Sequence, residues 1–110
     1  MEKVINIGGK DVKLKASAAT LVHYRSEFMR DMLTDISEYA KGENTNNVLE
    51  CSAYIMAKDA EPTILPFEEW LEEFGLTAFS NASKDIIGFW NSSAKSIEKP
   101  KKKADQRNES

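Results

Sequence analysis

Large apolar side chains stop after Trp90, and this limits what the chain can fold into. The last segment, 91–110, holds Ile97 as its one large apolar residue and contains the lysine run 99–103, interrupted by Pro100. Such a segment cannot bury enough apolar surface to offset the entropy lost on ordering. We therefore predict one folded domain over residues 1–92 and a disordered, lysine-rich tail over 93–110.

Charge divides the chain near the same point. Residues before 95 carry nine Lys or Arg and fifteen Asp or Glu, a net charge of −6, whereas the remaining residues carry six and three, a net of +3. An acidic body opposes nucleic-acid binding, which requires a basic face that displaces counterions from phosphates. The tail alone could contact RNA or an acidic partner, although a solvated linker is the simpler interpretation. We expect no nucleic acid among the partners.

Residue types that cofactor, metal and secretory functions require are scarce. One cysteine, Cys51, and one histidine, His23, exclude an internal disulfide and a Cys/His zinc site. His23 has no nucleophile near it in the predicted helix, so a surface or half-buried side chain is expected rather than a catalyst. Segment 2–15 lacks the apolar core of a signal peptide, and the longest apolar stretch, 86–90, is far too short to span a bilayer. We predict a cytoplasmic protein with no cofactor and no membrane insertion.

The hydrophobic period changes from two to 3.6 after Ala16. Apolar residues alternate on both sides of the Gly8-Gly9 pair, which predicts a hairpin. Apolar steps of three and four then predict four helices. They fall in 17–41, with a break near Thr34, in 48–58, in 67–74 and in 76–90. The predicted fold class is α+β and mostly helical, with an N-terminal β-hairpin packed on about four helices before the disordered tail.

The first predicted helix carries more apolar side chains than one core stripe requires. Phe28, Met29, Met32 and Leu33 together cover more than one face, and methionine adapts readily to varied apolar partners. We predict that these four residues form a protein-binding groove. No catalytic residue is predicted, because the glutamates of 68–73 lie on the solvent side of an amphipathic helix.

Five segments occur in a set order along the chain. They are a hairpin of the form IxIxGKxxxLK, then FMRDMLTDI, LECSAYIMAKDAEPTI and PFEEWLEEFG, and finally IIGFWNSS before the lysine run. They cover nearly the whole chain, and none is a catalytic motif. In this pattern and order the chain resembles the tail assembly chaperones of long-tailed, siphovirus-type bacteriophages and prophages of Gram-positive bacteria.

That resemblance implies a chaperone rather than an enzyme. Such proteins coat the long, helical, aggregation-prone tape measure protein, deliver it for polymerisation of the tail tube, and are absent from the mature virion. Many are made in two lengths by a programmed ribosomal frameshift, and the lysine codons of 101–103 would suit a slippery site. The extended form would recruit tail tube protein. The expected location is the host bacterial cytoplasm.

A small cytoplasmic adaptor or regulatory protein that binds one protein partner also fits these residues. The sequence leaves open whether the chain forms a homo-oligomer. The coding DNA would separate the two classes. An A-rich heptamer over Lys101 to Lys103, an overlapping reading frame and a very long coiled-coil gene downstream would favour the chaperone.

Overall fold

The computed structural model describes residues 1–44 and 47–104, and the side chains of 1–44 and 47–94. Within these residues an antiparallel pair of strands precedes six helices. The elements are β1 (Glu2–Ile7), β2 (Lys10–Lys15), α1 (Ala18–Phe28), α2 (Met32–Ala40), α3 (Val48–Ala60), α4 (Phe67–Leu71), α5 (Ala78–Asn81) and α6 (Ser83–Ala104).

The two strands form a tight hairpin whose turn is Gly8-Gly9. Both glycines have positive φ, 60° and 89°, as a two-residue hairpin turn that matches the strand twist requires. The register runs from Glu2↔Lys15 to Ile7↔Lys10. The apolar side chains of one face are buried, and β2 packs closely on α3. The hairpin therefore forms one wall of the core, because two strands alone would be marginally stable.

Helix α3 is the centre of the domain. Its buried residues are Val48, Leu49, Cys51, Ser52, Ala53, Tyr54, Ile55, Met56 and Ala57. A helix that is apolar on nearly all sides must be surrounded by other elements, and α3 contacts β2 and all the other helices that the structure describes. The sequence-based prediction of a central, buried helix over 48–58 is confirmed.

Aromatic rings connect the helices around α3. Successive rings lie 4.8–6.5 Å apart, centroid to centroid, mostly edge to face. The chain of rings comprises Phe28 of α1, Tyr54 of α3, Phe67 and Trp70 of α4, then Phe74 and Phe79. Such pairs add stability beyond the area that they bury, so this cluster joins the short helix α4 to the rest of the domain.

The predicted fold class is confirmed, with more helices than predicted. The predicted helices 17–41 and 76–90 are each divided into two, and the helix predicted over 67–74 ends at Leu71. The first break is at Met29, where φ is 58°, rather than near Thr34. Phe67, Trp70, Leu71 and Phe74 face inward and the four glutamates outward, as predicted.

Helix α6 extends past the point at which the sequence predicts that order ends. Its backbone is helical to Ala104, whereas the predicted disordered tail spans 93–110. The first turns of α6 pack on the core through Ile86 and Trp90, so the helix is already nucleated where the predicted tail begins. Alanine, lysine and glutamate in this segment favour propagation, whereas Pro100 opposes it because proline lacks a backbone N–H. Residues 105–110 of the predicted tail lie outside the described residues.

Candidate protein-binding surface on α1 and α2

Helix α1 carries apolar side chains on its outward side as well as on its core side. The outward positions are exposed and follow at steps of three, four and three residues: Ala19, Val22, Ser26 and Met29. Residues at these steps share one face of a helix, which we call the outer face of α1. A surface helix ordinarily places charged residues on that side. Small and apolar residues there instead suit the packing of another helix.

Met29 is held in an unfavourable backbone conformation at the end of α1. It is the C-cap, with φ 58° and ψ 34°, and its N–H donates to the Arg25 carbonyl at 2.8 Å. Among the described residues it is the one non-glycine with positive φ. That conformation costs an L-residue with a long side chain about 1–2 kcal/mol, and glycine or asparagine usually occupies such a position. The side chain is nevertheless 82% exposed.

A buried polar network fixes the turn between α1 and α2 from inside. Arg30 Nε donates to Asp35 Oδ2 at 2.8 Å, and the Tyr24 hydroxyl donates to the same oxygen at 2.7 Å. Arg30 Nη2 also lies 3.3 Å from Asn47 Oδ1 and 3.6 Å from Cys51 Sγ, which links the turn to α3. The network satisfies the buried Asp35 carboxylate, which would otherwise destabilise the fold.

Burial and hydrogen bonding shift the pKa values of three side chains in this network. Burial, and then the hydrogen bond to Asp35, raise the pKa of the Tyr24 hydroxyl above its ordinary value, so Tyr24 remains a neutral donor. Hydrogen bonds to Asp35 and Tyr24 raise the pKa of the Arg30 guanidinium. Burial raises the pKa of the Cys51 thiol to about 11. A protonated, buried thiol is a poor nucleophile, so Cys51 is a core side chain here.

Asp31 caps the second helix at its exposed N-terminus. Its Oδ2 accepts hydrogen bonds from the Thr34 N–H at 2.9 Å and from the Thr34 hydroxyl at 2.7 Å. These bonds, and a weaker effect of Arg25, hold the pKa of the Asp31 carboxyl below its usual range. Because the cap sets where α2 begins, it also positions the first turn of α2, which carries Leu33.

The structure divides the four residues that the sequence assigned to one groove. Met29 and Leu33 are exposed, at 82% and 52%. Met32 is fully buried, so its prediction as a surface residue is wrong: it belongs to the core stripe that continues to Ile36. Phe28 is half-buried, with its ring 4.9 Å from the Phe67 ring, centroid to centroid. The candidate surface therefore consists of Met29 and Leu33 together with the outer face of α1.

Val22 and Ser26 were missed by the sequence analysis. Val22 is 63% exposed, and its spacing from Met29 by two helical turns was readable in the sequence. This spacing was hard to recognise because Leu21 and Tyr24, on the core side of α1, begin a second stripe of apolar residues with the same spacing of three and four. Periodicity alone cannot say which of two apolar stripes faces the core.

A cleft of about 380 Å³ lies beside the outer face, between α1 and the C-terminal part of α3. On one wall of the cleft, Asp59 of α3 forms hydrogen bonds with two side chains of α1. Its Oδ2 accepts from the Thr20 hydroxyl at 2.7 Å, and its Oδ1 lies 2.7 Å from Nδ1 of His23. Lys58 Nζ lies 3.7 Å from Glu27 Oε1 at the rim. We call this feature the α1–α3 cleft.

The His23–Asp59 pair has a geometry seen in catalytic dyads, so its surroundings decide its chemistry. The expectation that no nucleophile lies near His23 is wrong, because Ser26 follows it by three residues and lines the same cleft. No hydrogen bond between the Ser26 hydroxyl and the His23 ring occurs in the described part of the chain. General-base activation of a nucleophile requires that contact. The observed geometry therefore positions the His23 ring through Asp59 without activating the Ser26 hydroxyl.

Metal-binding clusters and membrane-spanning helices are both absent from residues 1–44 and 47–104. No group of three or more His, Cys, Asp or Glu side chains suited to a metal ion occurs among these residues. No helix in the same residues combines the length and apolar character needed to cross a bilayer.

Comparison of the chain with protein-family models, with curated proteins and with solved structures gives no match.

Proposed function

We propose that this chain is a tail assembly chaperone of a long-tailed bacteriophage or prophage, which binds apolar helical segments of the tape measure protein. The observation that supports this best is the outer face of α1, where Val22 and Met29 are presented to solvent. Met29 occupies a position at which glycine would be more stable. A costly conformation that presents an apolar side chain is more easily explained by binding than by folding.

The spacing of the outer face favours a helix as the bound element. Alternating steps of three and four residues are the pattern by which one helix packs along another. Ala19 and Ser26 are small, so a second helix could approach α1 closely beside Val22 and Met29. Methionine adapts to many apolar shapes, which suits a chaperone that must hold successive, non-identical segments of a long helical protein.

Recruitment of tail tube protein is the second part of the proposal. Helix α6 carries the backbone out to Ala104, directly beyond the lysine run 101–103. A ribosomal frameshift within that run would attach an additional domain at the end of α6. One chain could then bind the tape measure protein and tail tube protein at separate sites, which raises the effective concentration of one near the other.

The proposal is tested by co-expression with a tape measure protein, the expected product of a very long coiled-coil gene downstream of the gene for this chain. We expect the full chain to keep the tape measure protein in the soluble fraction, and Met29→Asp and Leu33→Asp to lose most of that effect. Asp is well tolerated in the left-handed conformation, so Met29→Asp should not unfold the domain. Leu76→Asp is the matched control, because Leu76 is fully exposed but lies between α4 and α5.

A truncation after Ser93 distinguishes the outer face from the lysine-rich segment. Apolar binding should persist at high salt and show a negative heat-capacity change, whereas binding through the lysines should weaken steeply with salt. If the truncation abolishes solubilisation and Met29→Asp does not, the outer face is not the binding surface. If the full chain has no effect on the tape measure protein, the chaperone proposal fails and the adaptor, with a different helical partner on the same face, becomes the better hypothesis.

A further inference from the structure

The α1–α3 cleft combines an apolar floor with a polar wall. Ile55, which is 1% exposed, and Pro62 contribute apolar atoms to its lining. His23 and Ser26 contribute polar atoms from α1, and the volume of about 380 Å³ lies in the range of small-ligand sites. Ser26 belongs both to this lining and to the outer face of α1, so a helix packed on that face would run along the edge of the cleft.

The hydrogen bonds of Asp59 determine which hydrogen-bonding group the cleft offers. An ionised carboxylate only accepts, so the 2.7 Å contact between Asp59 Oδ1 and His23 Nδ1 places the proton of the neutral ring on Nδ1. In the neutral ring the other nitrogen, Nε2, has a free lone pair and can only accept. The Thr20 hydroxyl donates to Asp59 Oδ2 at 2.7 Å and holds the carboxylate in this orientation. A carboxylate bonded to one ring nitrogen fixes both the tautomer and the orientation of a histidine.

We propose that the α1–α3 cleft binds an aromatic side chain with a hydrogen-bond donor at its edge, a tyrosine or tryptophan, supplied by the partner helix. The ring would lie against the exposed Pro62, above the buried Ile55, and its O–H or N–H would donate to His23 Nε2. Tyrosine and tryptophan are the residue types that most often anchor protein interfaces in such pockets. The source of the side chain rests on the proposed function, whereas the chemistry of the cleft depends on these residues alone.

The test uses p-cresol, the side chain of tyrosine, with the full-length protein at neutral pH. Binding is followed by NMR through the His23 ring nitrogens, the Ile55 methyl groups and the Ser26 amide. The control ligand is 4-methylanisole, which keeps the ring and the oxygen but cannot donate. One hydrogen bond should make p-cresol bind about three- to ten-fold more tightly than 4-methylanisole.

Asp59→Asn supplies a second, geometrically matched test. The amide introduced by this substitution can still accept from Thr20 and can donate an N–H to His23 Nδ1, which would move the ring proton to Nε2. The cleft would then offer a donor, and the preference for p-cresol should disappear or reverse.

Several outcomes would overturn the assignment. They are equal affinities for the two ligands in the unsubstituted protein, shift changes away from the cleft, and displacement of p-cresol by inorganic phosphate, which would assign the cleft to anions. These measurements need no tape measure protein. The cleft proposal can therefore fail while the chaperone proposal succeeds, and the chaperone proposal can fail while the cleft proposal succeeds.

Discussion

Replacing Met29 with glycine should stabilise the domain and weaken partner binding at the same time. Met29 has φ 58°, and relieving that conformation is worth about 1–2 kcal/mol. The lost side chain contributes little, because it is 82% exposed and fully burying a methionine is worth only about 1.5–3 kcal/mol. The greater freedom of glycine in the unfolded chain offsets a further fraction. The expected net gain is about 1 kcal/mol.

Thermal and urea denaturation would measure this gain. For a domain of this size a stabilisation of about 1 kcal/mol corresponds to a rise in Tm of about 4–8 °C. Met29→Ala is the matched control, since it removes the long side chain but retains the strained backbone, and it should leave the Tm unchanged or slightly lower. Co-expression with the tape measure protein should show reduced solubilisation for both variants.

Either of two results would refute the reasoning. If Met29→Gly is no more stable than Met29→Ala, the left-handed conformation is not a cost and gives no ground for a functional role. If Met29→Gly is more stable and solubilises the tape measure protein as well as the unsubstituted chain, the side chain is not an anchor. The combination of higher stability with weaker binding is the signature of a residue retained for function.

Three further predictions concern the stability of the domain. Trp70→Ala should lower the free energy of unfolding by about 3–5 kcal/mol in a denaturant titration, because Trp70 is buried among aromatic rings, whereas Glu69→Ala should change it by less than about 0.5 kcal/mol. Gly8→Ala should be clearly destabilising by thermal denaturation, since φ is 60° and an added Cβ would lie 2.6 Å from the Ala78 Cβ. Native Cys51 should resist alkylation until the domain unfolds. Because burial raises the pKa of its thiol to about 11, the unfolded chain should lose this proton at a lower pH than the folded chain. The free energy of unfolding should therefore fall as the pH rises from about 9 toward 11, and Cys51→Ala should remove that fall.

The parts of the fold that the sequence predicted are those with one dominant local signal. Gly8-Gly9 between alternating apolar residues specifies a hairpin, and an almost continuous apolar segment over 48–57 specifies a buried helix. The bend after α1 has no such signal, because Met29 is a poor residue for a left-handed cap. Leu76 begins the helix predicted over 76–90, yet it is fully exposed in the turn that precedes α5.

The sequence predicted Met29 and Leu33 of the candidate surface but not Val22 and Ser26. The apolar residues of α1 fall on two faces, and only tertiary packing decides which one is covered. Met32 and Met29 are equally apolar in the sequence, but the bend between the helices turns Met32 into the core and Met29 toward solvent. The partnership of His23 with Asp59 was not predictable, since the two residues are 36 positions apart and meet only when α1 packs on α3.

The exposed surface and the buried network depend on each other through the bend between α1 and α2. Met29 can point outward only if the chain turns sharply there, and Arg30, the next residue, holds that turn by its bond to Asp35. Removing the Arg30 guanidinium would leave the buried carboxylate of Asp35 with fewer partners and would loosen the turn. Loss of this internal bond should therefore weaken binding at Met29 and Leu33, because it raises the entropy cost of ordering the surface.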